Sequence, residues 1–293
     1  ISGKGGTGKT SIVASFAALA GNAVLADCDV DAADLHLVLE PEIQRREPFS
    51  GGKRARLDPG LCRGCGKCSE LCRFGAVLAD RPHEPPGGRI YRIDPIACEG
   101  CGVCAWFCPE QAIVLEQAIN GEWFVSDTRH GPMVHAKLGI AEENSGKLVS
   151  TVRQEARRIA QALKRDLILI DGSPGIGCPV IASITGASLI LVVTEPTVSG
   201  LHDLNRVTDL AKHFAVPAMV CVNKWDLNPE VAMMTETHAL RRGLRVAGRI
   251  RYDRGVTQAQ VARKSVVEYQ RNGCAEDIRS AWEAVRRELD RSP

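Results

Sequence analysis

Four short stretches of this chain are apolar without a break: Ala23–Ala26, Leu167–Ile170, Leu189–Val193 and Ala218–Val222. Continuous runs of this length, rich in branched residues, mark strands buried on both faces, as in parallel sheets. The first two run straight into an acid, Asp27 and Asp171. Between the runs the apolar spacing changes to three and four. Ile12, Val13, Phe16 and Leu19 share a face of Ser11–Ala20, with Gly21 as the stop. Val152, Ala156, Ile159 and Leu163 define a second such face, and Leu201, Leu204, Val207 and Leu210 a third. Each spacing predicts an amphipathic helix. Strands alternating with helices predict an α/β fold whose mostly parallel sheet carries helices on both faces. Near the C-terminus Ile278, Trp282, Val285 and Leu289 form one more stripe. Its surrounding charges are mixed, so that helix is expected to pack on the sheet and not on a membrane surface.

The pattern lapses after Pro41. Pro48, Gly51 and Gly52 mark the way into a segment without long apolar runs, and Asn120-Gly121 marks the way out. Residues 53–120 therefore read as an inserted domain, with 1–52 and 121–293 forming a discontinuous α/β domain around it. Trp123–Leu138 predicts a strand pair about His130-Gly131-Pro132, with His130 and His135 in structural roles.

Composition narrows the field. In 293 residues, 37 Lys and Arg face 35 Asp and Glu, so no basic footprint for nucleic acid is present. No apolar run approaches the ~18 residues that span a bilayer, and no secretory leader is visible, which predicts a cytoplasmic chain. The chain opens on Ile1 directly before a glycine-rich loop, where a strand is expected, so a starting Met and a few strand residues are expected upstream.

Twelve cysteines are present, eight of them between Cys62 and Cys108. Tight clustering in a chain of this length points to metal and not to a disulfide scaffold. Cys62, Cys65, Cys68 and Cys72 read C-x2-C-x2-C-x3-C; Cys98, Cys101, Cys104 and Cys108 repeat the pattern 36 residues later, followed by Pro109. Arg56, Asp58 and Pro59 recur as Arg92, Asp94 and Pro95, so the segment is an internal duplication. Three thiolates at steps of three wrap one corner of a cubane, and the fourth reaches the other cluster. Cluster one is expected on Cys62, Cys65, Cys68 and Cys108, and cluster two on Cys98, Cys101, Cys104 and Cys72. Zinc is the rival, but its sites usually pair cysteines across a longer knuckle. Arg63 and Lys67 flank the first triplet and Glu99 the second, which predicts a higher reduction potential for cluster one. Trp106 and Phe107 are expected to pack around the clusters.

Residues 3–10 read G-K-G-G-T-G-K-T, the phosphate-loop pattern followed by its helix. Its glycines let backbone N–H groups cradle phosphate at the positive end of that helix. Gly3, Lys4, Gly5, Gly6, Thr7, Gly8, Lys9, Thr10 and Ser11 are the candidate nucleotide-binding residues. Lys9 is expected on the β- and γ-phosphates and Thr10 on Mg²⁺.

Two resemblances follow from these motifs. From about Arg54 to Gln117 the chain resembles a bacterial two-cluster ferredoxin, with Arg73 where that family has Pro. The second lysine of K-G-G-T-G-K-T, Lys4, resembles the deviant Walker A of the MinD/Mrp/ParA family, which includes the nitrogenase iron protein. That resemblance implies that Lys4 reaches across a nucleotide-sandwich homodimer to the partner's phosphates. Asp27-Cys28-Asp29 resembles the family's switch I, implying that Asp27 holds the Mg²⁺ water shell and Asp29 orients the attacking water. Asp31 and Asp34 read as a helix start. Asp171-Gly172-Ser173-Pro174-Gly175 resembles Walker B with switch II, implying that Asp171 stands behind Mg²⁺ and that Gly175 offers its N–H to the γ-phosphate. Asn223-Lys224-Trp225-Asp226 spells the guanine-reading N-K-x-D of GTPases, whereas an Asn at this strand end reads adenine in the resembled family. The Lys4 motif is the more specific signal and favours ATP. Gly248–Asp253 resembles the loop that closes over the base. Cys178 stands where the nitrogenase iron protein places a ligand for an intersubunit cluster, but with no second ligand in sight it reads as a buried free thiol.

Three functions fit: an ATP-driven electron-transfer protein, an iron–sulfur assembly or carrier factor, and a positioning ATPase with structural clusters. Complete ligation by eight cysteines favours resident redox centres. No arginine finger is evident, so a slow Mg²⁺-dependent ATPase is expected. Electron donor and acceptor are not named by any motif.

Overall fold

A computed structural model of the chain describes residues 1–82, 89–139 and 145–291. In chain order its elements are α1 (Lys9–Ala20), β1 (Ala23–Asp27), α2 (Leu35–Leu39), β2 (Glu42–Phe49), β3 (Gly52–Leu57), α3 (Lys67–Leu71), β4 (Val77–Pro82), β5 (Arg89–Ile93), α4 (Val103–Trp106), β6 (Ile113–Ala118), β7 (Gly121–Thr128), β8 (Gly131–Leu138), α5 (Ser145–Leu163), β9 (Leu167–Asp171), α6 (Cys178–Ile184), β10 (Ile190–Thr194), α7 (Val198–His213), β11 (Ala218–Asn223), α8 (Pro229–Arg241), β12 (Arg245–Ile250), α9 (Gly255–Val261), α10 (Val266–Tyr269) and α11 (Cys274–Leu289). They form two compact units. Ile1–Glu47, Trp123–Lys137 and Ser145–Pro293 make the first; Pro48–Glu122 and Leu138–Asn144 make the second.

The first unit carries the four apolar runs as parallel strands. β1 lies between β8 and β9, parallel to both, in the sheet order β2-β7-β8-β1-β9. β10, β11 and β12 form a second parallel set. Residues 1 and 2 run between the two sets. The Ile1 amine donates to Leu191 O, Val193 N–H donates to Ile1 O, and Ser2 bridges to Pro174. The register pairs Asp27 with Asp171, so both acids emerge side by side at the carboxyl end of the sheet, where ligands of open α/β sheets bind.

Helices cover both faces. On one, Ile278, Trp282 and Val285 of α11 meet Phe16 of α1 and the strand residues Met219, Cys221 and Ala247. Phe16 and Trp282 have ring centroids 4.8 Å apart, a tilted pair adding about 1 kcal/mol to the burial of both rings. On the other, Leu204, Val207 and Ala211 of α7 pack with Val180, Ile184 and Ala239 over Ile190, Val192 and Val220. The C-terminal stripe is thus a core face. No described helix is long and apolar enough to cross a membrane.

β2 has no counterpart in the apolar pattern. Its sequence, EIQRREPF, is mostly exposed, as suits the edge of a sheet, and edge position is also what tolerates Pro48 in a strand.

The second unit pairs β3 with β6 and β4 with β5, both antiparallel. Its buried core is small: Ala55, Cys68, Val77 and Ile113, with Leu57, Tyr91, Ile93, Ala105 and further cysteines against them. A core built so largely of cysteine gives little hydrophobic stabilisation, and domains of this size usually need a metal or disulfide staple.

Candidate functional site

The phosphate loop owes its path to glycine. Gly6 and Gly8 take φ of 77° and 88°, which side chains resist. A Cβ on Gly3 would lie 2.2 Å from Asp203 Cβ, and one on Gly8 would lie 2.4 Å from Asn223 Nδ2. The loop opens α1, a twelve-residue helix whose first N–H groups have no partner within it.

Buried charge gathers behind the loop. Lys9 is buried with its Nζ 3.4 Å from Asp29 Oδ2. Thr10 Oγ1 donates to Asp171 Oδ2 at 2.7 Å, while Asp171 Oδ1 and Thr7 Oγ1 are buried without a partner. Asp27 accepts from Asp29 N–H at 3.1 Å and from Leu35 N–H at 3.3 Å. Asp27 therefore caps α2 from a distance, and Asp34 at the N-cap position makes no side-chain bond. Burial pushes the Asp27 carboxyl well above its usual range, and Asp171 beside it adds to the effect. Burial raises Asp171 and Asp29 too, against the pull of Lys9. Buried carboxyls grouped beside one lysine, with an orphaned carboxylate oxygen and an orphaned hydroxyl, are a donor set that suits a magnesium–phosphate group. Ser11 Oγ accepts from Gln260 at 3.1 Å.

Other predicted residues are engaged within the chain. Lys4 Nζ lies 3.1 Å from Glu195 Oε2, and Lys224 Nζ lies 2.5 Å from Oε1 of the same carboxylate. Burial pushes Glu195 up, but hydrogen bonds from Lys224 and Lys4 outweigh it and hold the carboxyl below its usual value. Lys224 also donates to Gly6 O at 3.1 Å, and Asn223 Nδ2 to Thr7 O at 2.7 Å. Asn223 Oδ1 accepts from Lys224 N–H, so in this structure the amide fastens β11 to the phosphate loop and is not held out toward a base. Gly175, at φ 92°, donates its N–H to Ser2 O at 2.9 Å and so does not offer it to the site here. Beyond β12, Arg251 is tied to Asp277 by two bonds of 2.7 Å, and Tyr252 N–H donates to Asp226.

Glu195 and Lys224 were not singled out by sequence. The available signal was position: an acid directly after a buried strand, and a lysine inside a motif read only for its Asn and Asp. Cys178 departs from expectation differently. It is exposed at the first residue of α6, whose buried residues are Val180, Ser183 and Ile184.

In the second unit the duplication shows in the backbone turns of the two cysteine loops. Gly64 and Gly100 have φ of 70° and 63°, Gly66 and Gly102 of 79° and 80°. Each pair turns a C-x2-C-x2-C loop inward before α3 or α4. Gly100 allows nothing else, since a Cβ there would sit 1.9 Å from Lys53 O. Arg73 in place of Pro leaves the following turn intact: Gly75 and its repeat-mate Gln111 share positive φ, and each donates its N–H to the last cysteine of its set.

Two cavities result. One is lined by Cys62, Cys65, Cys68 and Cys108; the other by Cys72, Cys98, Cys101 and Cys104. The fourth cysteine of each run thus crosses to the other's cavity. Backbone N–H groups point at sulfur: Gly64 to Cys62 at 3.4 Å, Ala112 to Cys108 at 3.3 Å and Ala55 to Cys98 at 3.5 Å. Burial pushes the Cys68 and Cys104 thiols up, a cost that a bound metal reverses. Four cysteines around each cavity, with backbone N–H groups aimed at sulfur, are a donor set that fits a multi-iron group. Trp106 is 85 % exposed and Phe107 55 %, so neither packs around the cysteines as expected; α4 is one turn long and turns Cys104 inward, leaving its last residue outside.

Comparisons agree with both halves. Residues 42–112 match the family of 4Fe-4S dicluster domains. The chain is similar to uncharacterized protein MJ0578 of Methanocaldococcus jannaschii, 34% identical over 231 residues that cover 78% of each chain. It is also similar to uncharacterized protein MJ0579 of that organism, 22% identical over 77% of this chain and 79% of that one. Among solved structures it resembles the cell division ATPase MinD of Pyrococcus furiosus, at TM-score 0.56 and 17% identity, covering 98% of this chain and 97% of that one. The septum site-determining protein MinD of Pyrococcus horikoshii, complexed with Mg-ADP, gives TM-score 0.57 and 17% identity, covering 97% and 93%. These structural likenesses carry the fold. Together with the phosphate loop and the paired cysteine runs, the relationship to MJ0578 places the chain in that protein's family, whose member here has the fold of the MinD ATPases and carries a 4Fe-4S dicluster segment.

Proposed function

We propose that this nucleotide-binding iron–sulfur protein binds and slowly hydrolyses Mg²⁺·ATP, and that nucleotide-dependent dimerisation gates electron transfer through two [4Fe–4S] clusters. The observation that carries the reading is the coexistence, in one chain, of two four-cysteine cavities and a phosphate loop backed by unsatisfied buried acid.

Each chemical role falls to a residue already placed. The loop amides and Lys9 bind the phosphates, which draws Lys9 from Asp29. Asp29 is then free to orient a water on the γ-phosphate; that water's oxygen bonds to phosphorus as the β–γ bridging oxygen leaves with ADP, and the water's proton passes to the departing phosphate. Thr10, Asp27 and Asp171 hold the cation. Lys4 reaches the partner's phosphates once it leaves Glu195. Cys62, Cys65, Cys68 and Cys108 hold one cluster and Cys72, Cys98, Cys101 and Cys104 the other. When bound, such clusters store and pass single electrons. Complete sets of four cysteines favour resident centres over cargo for delivery. Switch I leads through α2 and β2 directly into the second unit, a short covalent path for coupling.

An anaerobic preparation tests this by iron and sulfide content, and by following absorbance in the presence of Mg²⁺·ATP and an apo-ferredoxin. About eight irons per chain, reversible reduction and retained iron are expected. Loss of iron to the apo-ferredoxin on adding ATP contradicts the redox reading in favour of a carrier.

A further inference from the structure

The duplication makes each cysteine cavity the control for the other. Their backbones turn on matched glycines, and their middle cysteines, Cys65 and Cys101, are both exposed. Donor set and donor exposure therefore differ little. The rims differ instead. Arg63, Lys67 and Glu110 line the first cavity together with Tyr91. Glu99, Leu71, Phe74 and Val103 line the second, and no cation is among its described lining residues. At repeat-related positions Arg63 answers to Glu99, Lys67 to Val103 and Glu110 to Phe74. Arg63 is paired with Glu110 at 3.2 Å, so Lys67 is the surplus positive charge on the first rim, and Glu99 the negative charge on the second.

We propose that the two cavities hold centres of unequal potential, with Lys67 and Glu99 setting the order, so that the first reducing electron settles in the cavity of Cys62, Cys65, Cys68 and Cys108. The inference rests on the [4Fe–4S] reading above. Each reduction adds one electron to one centre, breaks no bond and leaves the site more negative by one charge. A nearby ammonium favours that added charge, a carboxylate opposes it, and a rim of Leu71, Phe74 and Val103 opposes it further by keeping water away. All three differences act in the same direction. Because Lys67 and Glu99 are exposed, their share is screened by salt.

The test is a potentiometric titration of the full chain, anaerobic and without nucleotide, using dithionite with redox mediators and EPR detection. Two separate one-electron waves are expected. Lys67→Val is expected to move the higher wave to more negative potential and leave the lower in place. Glu99→Arg is expected to raise the lower wave and narrow the gap, and added salt is expected to narrow it in the unmodified chain. A single wave from fully loaded protein, a gap indifferent to salt, or a Lys67→Val shift confined to the lower wave overturns the inference. Iron content separates the two levels: protein without iron defeats the cluster reading, whereas full iron with equal potentials defeats this inference alone. Should either variant lose iron, the salt series on the unmodified chain decides.

Discussion

At the scale of single residues, buried acid dominates the phosphate-loop unit. Asp27, Asp29 and Asp171 have carboxyls raised by burial, so the ligand-free fold binds more protons than the unfolded chain. Its stability then falls as pH rises through and above the carboxylate range, and a bound cation removes that loss. Mg²⁺·ATP at a hundred times its dissociation constant should stabilise the fold by about 2.7 kcal/mol. In differential scanning calorimetry this shift should grow as pH rises out of the usual carboxylate range, and Asp171→Asn should flatten that slope. A shift independent of pH would count against the cation site. His135 acts oppositely. It is buried on Phe124, bonded to Ser126 at 2.8 Å, and burial lowers its pKa from 6.5 to about 4. Its contribution is full above pH 6.5 and is lost as pH falls toward 4, by up to about 3 kcal/mol. Urea titrations of His135→Gln should show less loss over that interval than the unmodified chain.

Among the elements, sequence was most informative where burial leaves one choice. Ala23–Ala26 and Ala218–Val222 are apolar on both faces, and the structure has them as sheet strands. The C-terminal stripe placed α11 because Ile278, Trp282 and Val285 had to find a core. Trp282→Ala should therefore cost about 3–5 kcal/mol in chemical denaturation. The strand β2 was invisible because an edge needs no apolar alternation. Trp106 misled because a large aromatic ring beside cysteines suggests burial, while a one-turn helix cannot point Cys104 and Trp106 the same way. In the site, phosphate-loop and cysteine spacings were legible because chemistry fixes them locally. Glu195 was not, since its partners Lys4 and Lys224 are distant in sequence and only the fold brings them to one carboxylate. Gly100 is the most demanding position of the second unit: its positive φ and the 1.9 Å approach to Lys53 O leave no room for a methyl group. Gly100→Ala should lower iron content measurably, and Gly5→Ala, which meets nothing within 4 Å, gives the contrast: it should leave iron unchanged.

For the whole molecule, the proposed function requires one polypeptide to sense nucleotide and store electrons, each activity registering the other. By linkage, a nucleotide that binds reduced and oxidised protein unequally must shift the cluster potentials by the same free energy. The most direct measurement is an anaerobic redox titration of the intact chain with and without saturating Mg²⁺·ATP, repeated on Lys9→Ala. ATP is expected to displace at least one wave in the unmodified chain and none in Lys9→Ala. Superimposable curves from iron-replete protein that demonstrably binds ATP would contradict the proposed function.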